Sequence, residues 1–276
     1  MHRLNRLALV SLCVSFWLIG LGVPEAAAQR EFTKWLSGHQ LLSWLTFSQP
    51  NPVLPLVPTL YTEGFGMEWA SISVSSPCGR FLFGSLSAQK LYAGPNRFIA
   101  GSDTLDGLGR QRHHSIARSQ RLLALPQPAH RSLYWLFPLS SHGFIERPLT
   151  YARLDMALEG GQGRVISKGN LLGRHVNRMV TGVRHANGRD FWVLTRDVPT
   201  REYVAYYLGP RGLDTIGVRS PSAFQPDSMG GLKFSPDGRW LASPGFAAGG
   251  SSGRLSQVLA RFDAATGQVS SELVLD

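Results

Sequence analysis

Cysteine is nearly absent from this chain, with only Cys13 and Cys78 among 276 residues. Cys13 lies in an apolar N-terminal stretch expected to be removed, which leaves Cys78 without an intrachain partner and excludes a disulfide framework. A nucleophilic Cys78 would need a neighbouring base, and the sequence around it supplies none, so it reads as a replacement for Asp or Asn in a turn. Lysine is scarce too: Lys34, Lys90, Lys168 and Lys233 are the only four among 28 basic residues. The arginines are scattered rather than gathered into a stripe, so the net charge of +10 does not form a nucleic-acid footprint. No apolar run of helical spacing lasts three turns, which argues against a helical fold. The one G-x-S-x-G spelling, Gly249 to Gly253, falls in the small-residue stretch Gly245 to Gly253 with no helical run behind it, so it does not read as a hydrolase nucleophile elbow.

The chain opens with Arg3 and Arg6, an apolar run from Leu7 to Val23, and Ala26-Ala27-Ala28. A basic start, a short apolar core and a small-residue exit form a secretory signal peptide over residues 1–28, with the mature chain beginning near Gln29. The core is too short, and the exit too rich in Ala, for a retained transmembrane helix. Export places the protein outside the cytoplasm: secreted, extracellular or at the cell surface, or periplasmic without a sorting signal. Removing Arg3, Arg6 and Glu25 leaves a charge of +9. The partners this suits are another protein or an anionic surface polysaccharide.

The mature region is organised around Gly230 to Ser243, GGLKFSPDGRWLAS. Leu232 and Phe234 alternate with polar residues, Pro236-Asp237-Gly238 makes a turn, and Trp240-Leu241-Ala242 begins a second strand. A tight turn needs φ > 0 where Gly sits without strain, so this is a β-hairpin. The pattern recurs. Ser73 to Phe83 reads SVSSPCGRFLF, and Val183 to Thr195 reads VRHANGRDFWVLT. Leu122 to Phe137 reads LLALPQPAHRSLYWLF, a degenerate copy with its turn near Ala129-His130-Arg131. The separations from Gly79 to His130, His130 to Gly188 and Gly188 to Gly238 are 51, 58 and 50 residues. Tyr151 to Val165 and Leu259 to Val269 add a strand, an acidic residue, a Gly-containing turn and another strand. Two hairpins per period of about 50 residues is the signature of four-stranded β-propeller blades.

The fold expected is therefore all-β and β-propeller-like, with WD/YVTN-like four-stranded blades. Residues 29–276 form one domain of four to five blades, with units at about 64–115, 116–172, 173–228 and 229–276. Gln40 to Phe47 reads as an opening strand, Asn51 to Pro58 as a Pro-rich connection, and Gly245 to Gly253 as a small-residue loop.

The order of segments resembles a known group. Thr62-Glu63-Gly64 leading into Ala70 to Phe83 is similar to its opening, and Leu133 to Phe137 to one of its strands. Tyr151 to Met156, Glu159 to Val165, Val183 to Val193 and Gly231 to Ala242 follow in the group's order. The chain resembles the N-terminal propeller region of large secreted Bacteroidetes proteins that end in a gliding-motility-type (type IX secretion, type B) sorting domain. The resemblance implies a secreted propeller. It spans most of Thr62 to Asp276, but Phe83 runs into GSLSAQKLYAGPNRF where the group continues differently, and no sorting domain follows. Either the reading frame is truncated or closure comes from a partner; an open arc would self-associate, and a small closed ring would not.

Nothing in the sequence assembles into chemistry. His113-His114 is an adjacent pair whose members point to opposite faces of a strand, with no third ligand at metal spacing. His185, beside Asn187-Gly188, fits a turn-ordering hydrogen bond, as do Asp155 and Asp263 before their turns. Gly160 to Gly163 lacks the Lys and the following helix of a phosphate cradle. Tyr134, Trp135, Phe191, Trp192, Phe234 and Trp240 lie in strands, where packing between blades is the default. No catalytic, cofactor-binding or metal-ligating residue is assigned, and no cofactor is expected. The expected function is a secreted, non-enzymatic module for interaction or structure at the cell surface. The alternatives are an extracellular hydrolase or lyase with a site in the propeller channel, and a fragment of a larger secreted protein.

Overall fold

The structure is a computed structural model that describes residues 34–37, 40–43, 72–76, 80–87, 90–94, 97–107, 122–139, 148–177, 179–226, 231–247 and 256–275. Residues 1–28, 51–58 and 62–64, with Cys78, His113 and His114, lie outside them. The protein is all-β: among the described residues the only helical turn is a 3-10 turn at Glu159–Gly161.

Strands follow one another as antiparallel meanders. β1 (Lys34–Ser37) and β2 (Gln40–Ser43) form a hairpin. The first sheet is β3 (Ile72–Ser75), β4 (Phe81–Ser87), β5 (Lys90–Gly94) and β6 (Arg97–Phe98), in that order. The second is β7 (Leu122–Pro126), β8 (Leu133–Pro138), β9 (Leu149–Asp155) and β10 (Arg164–Gly173). The third is β11 (Thr181–Arg184), β12 (Phe191–Arg196) and β13 (Tyr203–Gly209), and its last edge is split into β14 (Gly212–Leu213) and β15 (Val218–Ser220). In the fourth sheet the first edge is split, into β16 (Phe224–Pro226) and β17 (Lys233–Phe234), followed by β18 (Trp240–Ala247), β19 (Ser256–Asp263) and β20 (Gln268–Leu275). β18 thus continues as strand into the first residues of the small-residue segment, because β16 pairs with its far end.

The two-residue period of a strand sends neighbouring side chains to opposite faces, and here both faces are used. On β8, Tyr134 and Leu136 face the first sheet, where they meet Phe83, Leu91 and Ile99. Trp135 and Phe137 face the third sheet and meet Phe191, Val193 and Tyr206. On β12 the other parity, Trp192 and Leu194, packs with Leu241, Ala260 and Phe262 of the fourth sheet. Successive sheets are therefore stacked face to face, with one apolar seam between each adjacent pair. Their leading strands lie side by side, β3 against β7, β7 against β11 and β11 against β17. β1 lies against β3 and β4.

Turn chemistry explains the hairpins. At the fourth sheet, the Gly238 N–H donates to the Ser235 carbonyl at 2.9 Å and Gly238 takes φ of +70°. The Ser235 hydroxyl donates to Asp237 Oδ1 at 2.5 Å and accepts from the Trp240 N–H at 3.0 Å, so the SPDG sequence closes its own loop. In the second sheet the equivalent loop is built differently. The His130 N–H reaches the Gln127 carbonyl at 3.1 Å, and the left-handed residue is Ala129, with φ of +64°. The left-handed position thus falls one residue before His130, which itself has no positive φ and needs no Gly.

Gly238→Val is expected to lower the unfolding free energy by about 1–3 kcal/mol, because a β-branched residue is strained at positive φ. Its Cβ would also lie 2.9 Å from Val183 Cγ2. Gly231→Val, where an added Cβ meets nothing within 4 Å, should be nearly silent. Equal shifts of the urea midpoint in the two variants would refute the assignment.

β20 departs from simple alternation. Counting by twos from the inward Val269 would turn Ser271, Leu273 and Leu275 inward. Instead Ser271 takes φ of +51° and forms a bulge, at the register shift between Leu259 and Arg261. Beyond it Glu272 and Val274 face the third sheet, while Leu273 and Leu275 face outward and are 56% and 48% exposed. One extra residue has exchanged the two faces of the strand.

Candidate functional site

Polar side chains concentrate at the two ends of the seam between the third and fourth sheets. At the hairpin end, His185 Nδ1 accepts the Asn187 N–H at 3.0 Å. Asn187 Oδ1 accepts the N–H groups of Arg189 and Asp190, each at 3.0 Å, and its amide donates to Asp190 Oδ2 at 2.6 Å. Tyr207 also donates to Asp190 Oδ2. The His185 ring lies 5.4 Å from that of Tyr207 and 5.7 Å from that of Trp192. The Trp192 indole N–H donates to the Ala264 carbonyl at 2.9 Å and so ties this turn to the fourth sheet.

The Tyr207 hydroxyl, then the Asn187 amide and nearby positive charge, hold the Asp190 carboxyl below its ordinary range despite burial. Asp190 itself raises the pKa of Tyr207. A carboxylate whose folded pKa is depressed contributes its full stability above the unfolded value, about 3.9, and loses it as the pH falls through the lower folded value. Acid titration of the wild type should therefore lose a component of stability below about pH 4 that Asp190→Asn lacks. Parallel pH-stability curves for the two proteins would show that this network is not linked to folding.

At the opposite end stand Arg196, Tyr203, Ser222 and Glu272. Arg196 has no exposed surface, because it shares the strand face of Trp192 and Leu194. Its guanidinium lies 4.4 Å from the Tyr203 ring centroid, and Nη2 donates to the carbonyls of Arg201 and Phe224 at 3.1 and 2.6 Å. Glu272, turned inward by the β20 bulge, accepts from Tyr203 Oη at 3.0 Å, from the Ala223 N–H at 2.9 Å and from the Ser222 hydroxyl. Burial lowers the pKa of Arg196. Burial, against the pull of Arg196 and with the push of Glu272, raises Tyr203 to about 12.

Both clusters consist of side chains hydrogen-bonded to one another and to nearby main chain. Tyr203 stays protonated at neutral pH, Asp190 stays ionised, and the Glu272 carboxylate is already occupied by three donors. Neither cluster sets an activated nucleophile beside a free base. Among the described residues no group of three or more His, Cys, Asp or Glu is placed to hold a metal ion.

The residues singled out in the sequence fall as follows. Asp155 Oδ1 and Asp263 Oδ1 accept the N–H groups of Ala157 and Ala265, each at 2.9 Å. The N–H groups of Gly161 and Gly163 return to the Leu158 carbonyl at 3.0 Å and are not offered to a ligand. Phe234 packs edge-on to Phe262 at 4.8 Å. Trp240 is half-buried on the outward face of the fourth sheet, 4.6 Å from the Arg261 guanidinium. The sequence reading missed Arg196. The signal was present in the run Phe191 to Arg196, whose alternation carries the arginine inward with Trp192 and Leu194.

Comparison with family models, curated proteins and solved structures finds no match to this chain. Among the described residues no helix is long and apolar enough to cross a membrane, which says nothing of a β-barrel.

Proposed function

We propose that the chain is an exported, non-enzymatic, β-propeller-like module that acts by binding at the cell surface. The observation that carries this reading is the stacking of four antiparallel meanders in chain order with their leading strands side by side. Blades gathered around an axis have this arrangement, and propellers present their loops as binding surfaces. The ordered motifs from Thr62 to Asp276 and their likeness to secreted Bacteroidetes propellers support the same reading, as does the basic, signal-like start. The partner proposed is a protein or an anionic surface polysaccharide, attracted by the net charge of +9 that remains once Arg3, Arg6 and Glu25 are removed with residues 1–28.

The test is to express the full chain in a Gram-negative host, fractionate the cells and sequence the N-terminus of the product. A product beginning near Gln29 outside the cytoplasm is expected. That product should bind an anionic polysaccharide such as alginate more weakly as salt is raised. Retention of residues 1–28 in the cytosol would overturn export, and turnover of a glycan substrate by the pure protein would overturn the non-enzymatic reading.

A further inference from the structure

The arginines are scattered in sequence, but the fold gathers four of them. Arg80, Arg131, Arg189 and Arg239 stand 51, 58 and 50 residues apart. They fall in the β3–β4, β7–β8, β11–β12 and β17–β18 turns, one in each sheet. The four turns lie at one end of the stack. Phe83 and Tyr134, each three residues beyond its arginine, meet edge to face at 5.0 Å across the first seam. Across the second, Gln127 Nε2 donates to the Pro210 carbonyl in the β13–β14 turn at 3.0 Å. Across the third, the Ala186 N–H donates to the Ala264 carbonyl in the β19–β20 turn at 2.9 Å. Gly238, one residue before Arg239, lies against Val183 at the end of β11.

All four arginines are exposed. Among the described residues their one ion pair is Arg239 Nε with Asp237 Oδ2, at 4.0 Å. Arg164, Lys168 and Arg219 are instead paired with Glu159, Asp103 and Glu202. The carboxylates of the turns themselves are already engaged. Asp190 accepts from Asn187 and Tyr207, and Asp237 from the Ser235 hydroxyl and the Arg239 N–H. Stacked sheets are spaced about 10 Å apart, so the arginines form a row with roughly that interval. No Phe, Tyr or Trp occurs in these turns, so they offer no ring on which a base or a neutral sugar would stack. What they present is a guanidinium fork, which matches a carboxylate in geometry and charge. We propose that Arg80, Arg131, Arg189 and Arg239 form one docking row for an extended anionic polysaccharide, whose successive charges are taken by successive sheets. This inference rests on the proposed binding of such a polysaccharide and assigns it a site.

The test measures the affinity of the full mature chain for alginate at low ionic strength by isothermal titration calorimetry. An exposed ion pair contributes about twofold, so the four-site variant Arg80→Gln, Arg131→Gln, Arg189→Gln and Arg239→Gln should bind at least about tenfold more weakly. A control that loses the same charge elsewhere, Lys90→Gln, Arg174→Gln, Arg201→Gln and Lys233→Gln, should weaken by less than about threefold, because salt screens distant charges. Equal weakening in the two variants, or none in the first, would overturn the row and leave polysaccharide binding standing. No binding by the wild type would overturn both. Tighter binding of duplex DNA than of alginate at equal charge concentration would overturn the class of partner. Should the four-site variant melt below the wild type, the pairs Arg80→Gln with Arg239→Gln and Arg131→Gln with Arg189→Gln divide the row, and each should cost about fourfold. Wild-type affinity in both pairs would again refute the site.

Discussion

Trp192→Ala is expected to remove about 3–5 kcal/mol of stability, the range for truncating a large aromatic in a packed core. That is a large part of the roughly 5–15 kcal/mol that holds a typical domain together. The effect is concentrated at this residue because three contributions meet there. The ring is 5% exposed and packs with Met179, Leu194 and Phe262 in the seam between the third and fourth sheets. Its N–H reaches across to the Ala264 carbonyl at 2.9 Å. Gly267 closes over it so tightly that an added Cβ would come within 2.8 Å of the ring. Trp240→Ala, on the outward face beside Arg261, should cost much less. Urea denaturation of both variants checks the ranking, and equal midpoints would place the seam somewhere other than Trp192.

The mature chain should self-associate in a concentration-dependent manner through the outward face of the fourth sheet. Each seam between the described sheets buries one pair of faces, and β1 lies against the first sheet, whereas Leu273 and Leu275 stand exposed. Cross-strand pairing aligns Ala242, Leu259 and Leu273 on that face, with Trp240 and Arg261 beside them. An aligned apolar row on an open sheet favours contact with another such surface. Burying a leucine contributes about 1.5–3 kcal/mol, so Leu273→Lys with Leu275→Lys should raise the half-association concentration at least about tenfold. Light scattering across a concentration series reads the effect. A concentration-independent monomer with one cooperative melt would mean that the sheets close into a small ring, and would sink the open arc.

Much of the architecture was legible because strand periodicity is local. The hairpins at Val183 to Thr195 and Gly230 to Ser243 could be read from Gly188 and Gly238, the positions where the backbone takes φ of +72° and +70°. The acidic residues Asp155 and Asp263 could be read as turn formers for a similarly local reason: a short carboxylate reaches the N–H two residues ahead. The polar seam between the third and fourth sheets was not legible in the same way. Ser222 and Glu272 are 50 residues apart in sequence and meet across a sheet boundary. Nothing in either neighbourhood names the other.

What the sequence determined by itself was the period: which runs become strands, where most of them turn, and that both parities of the central strands are apolar. A two-residue alternation follows from the backbone alone and needs no knowledge of the partner strand. Tertiary structure decided where that count is interrupted and which charge is enclosed. The bulge at Ser271 lets two residues of β20 oppose one of β19, and this exchange turns Glu272 toward Tyr203 and Leu273 toward solvent. The same sheet carries the Phe224 carbonyl to Arg196, an arginine whose strand position directs it inward but whose burial requires the fourth sheet to cover it. A bulge is a relation between two strands, and burial is a relation between two sheets, so neither is encoded in the period of one strand.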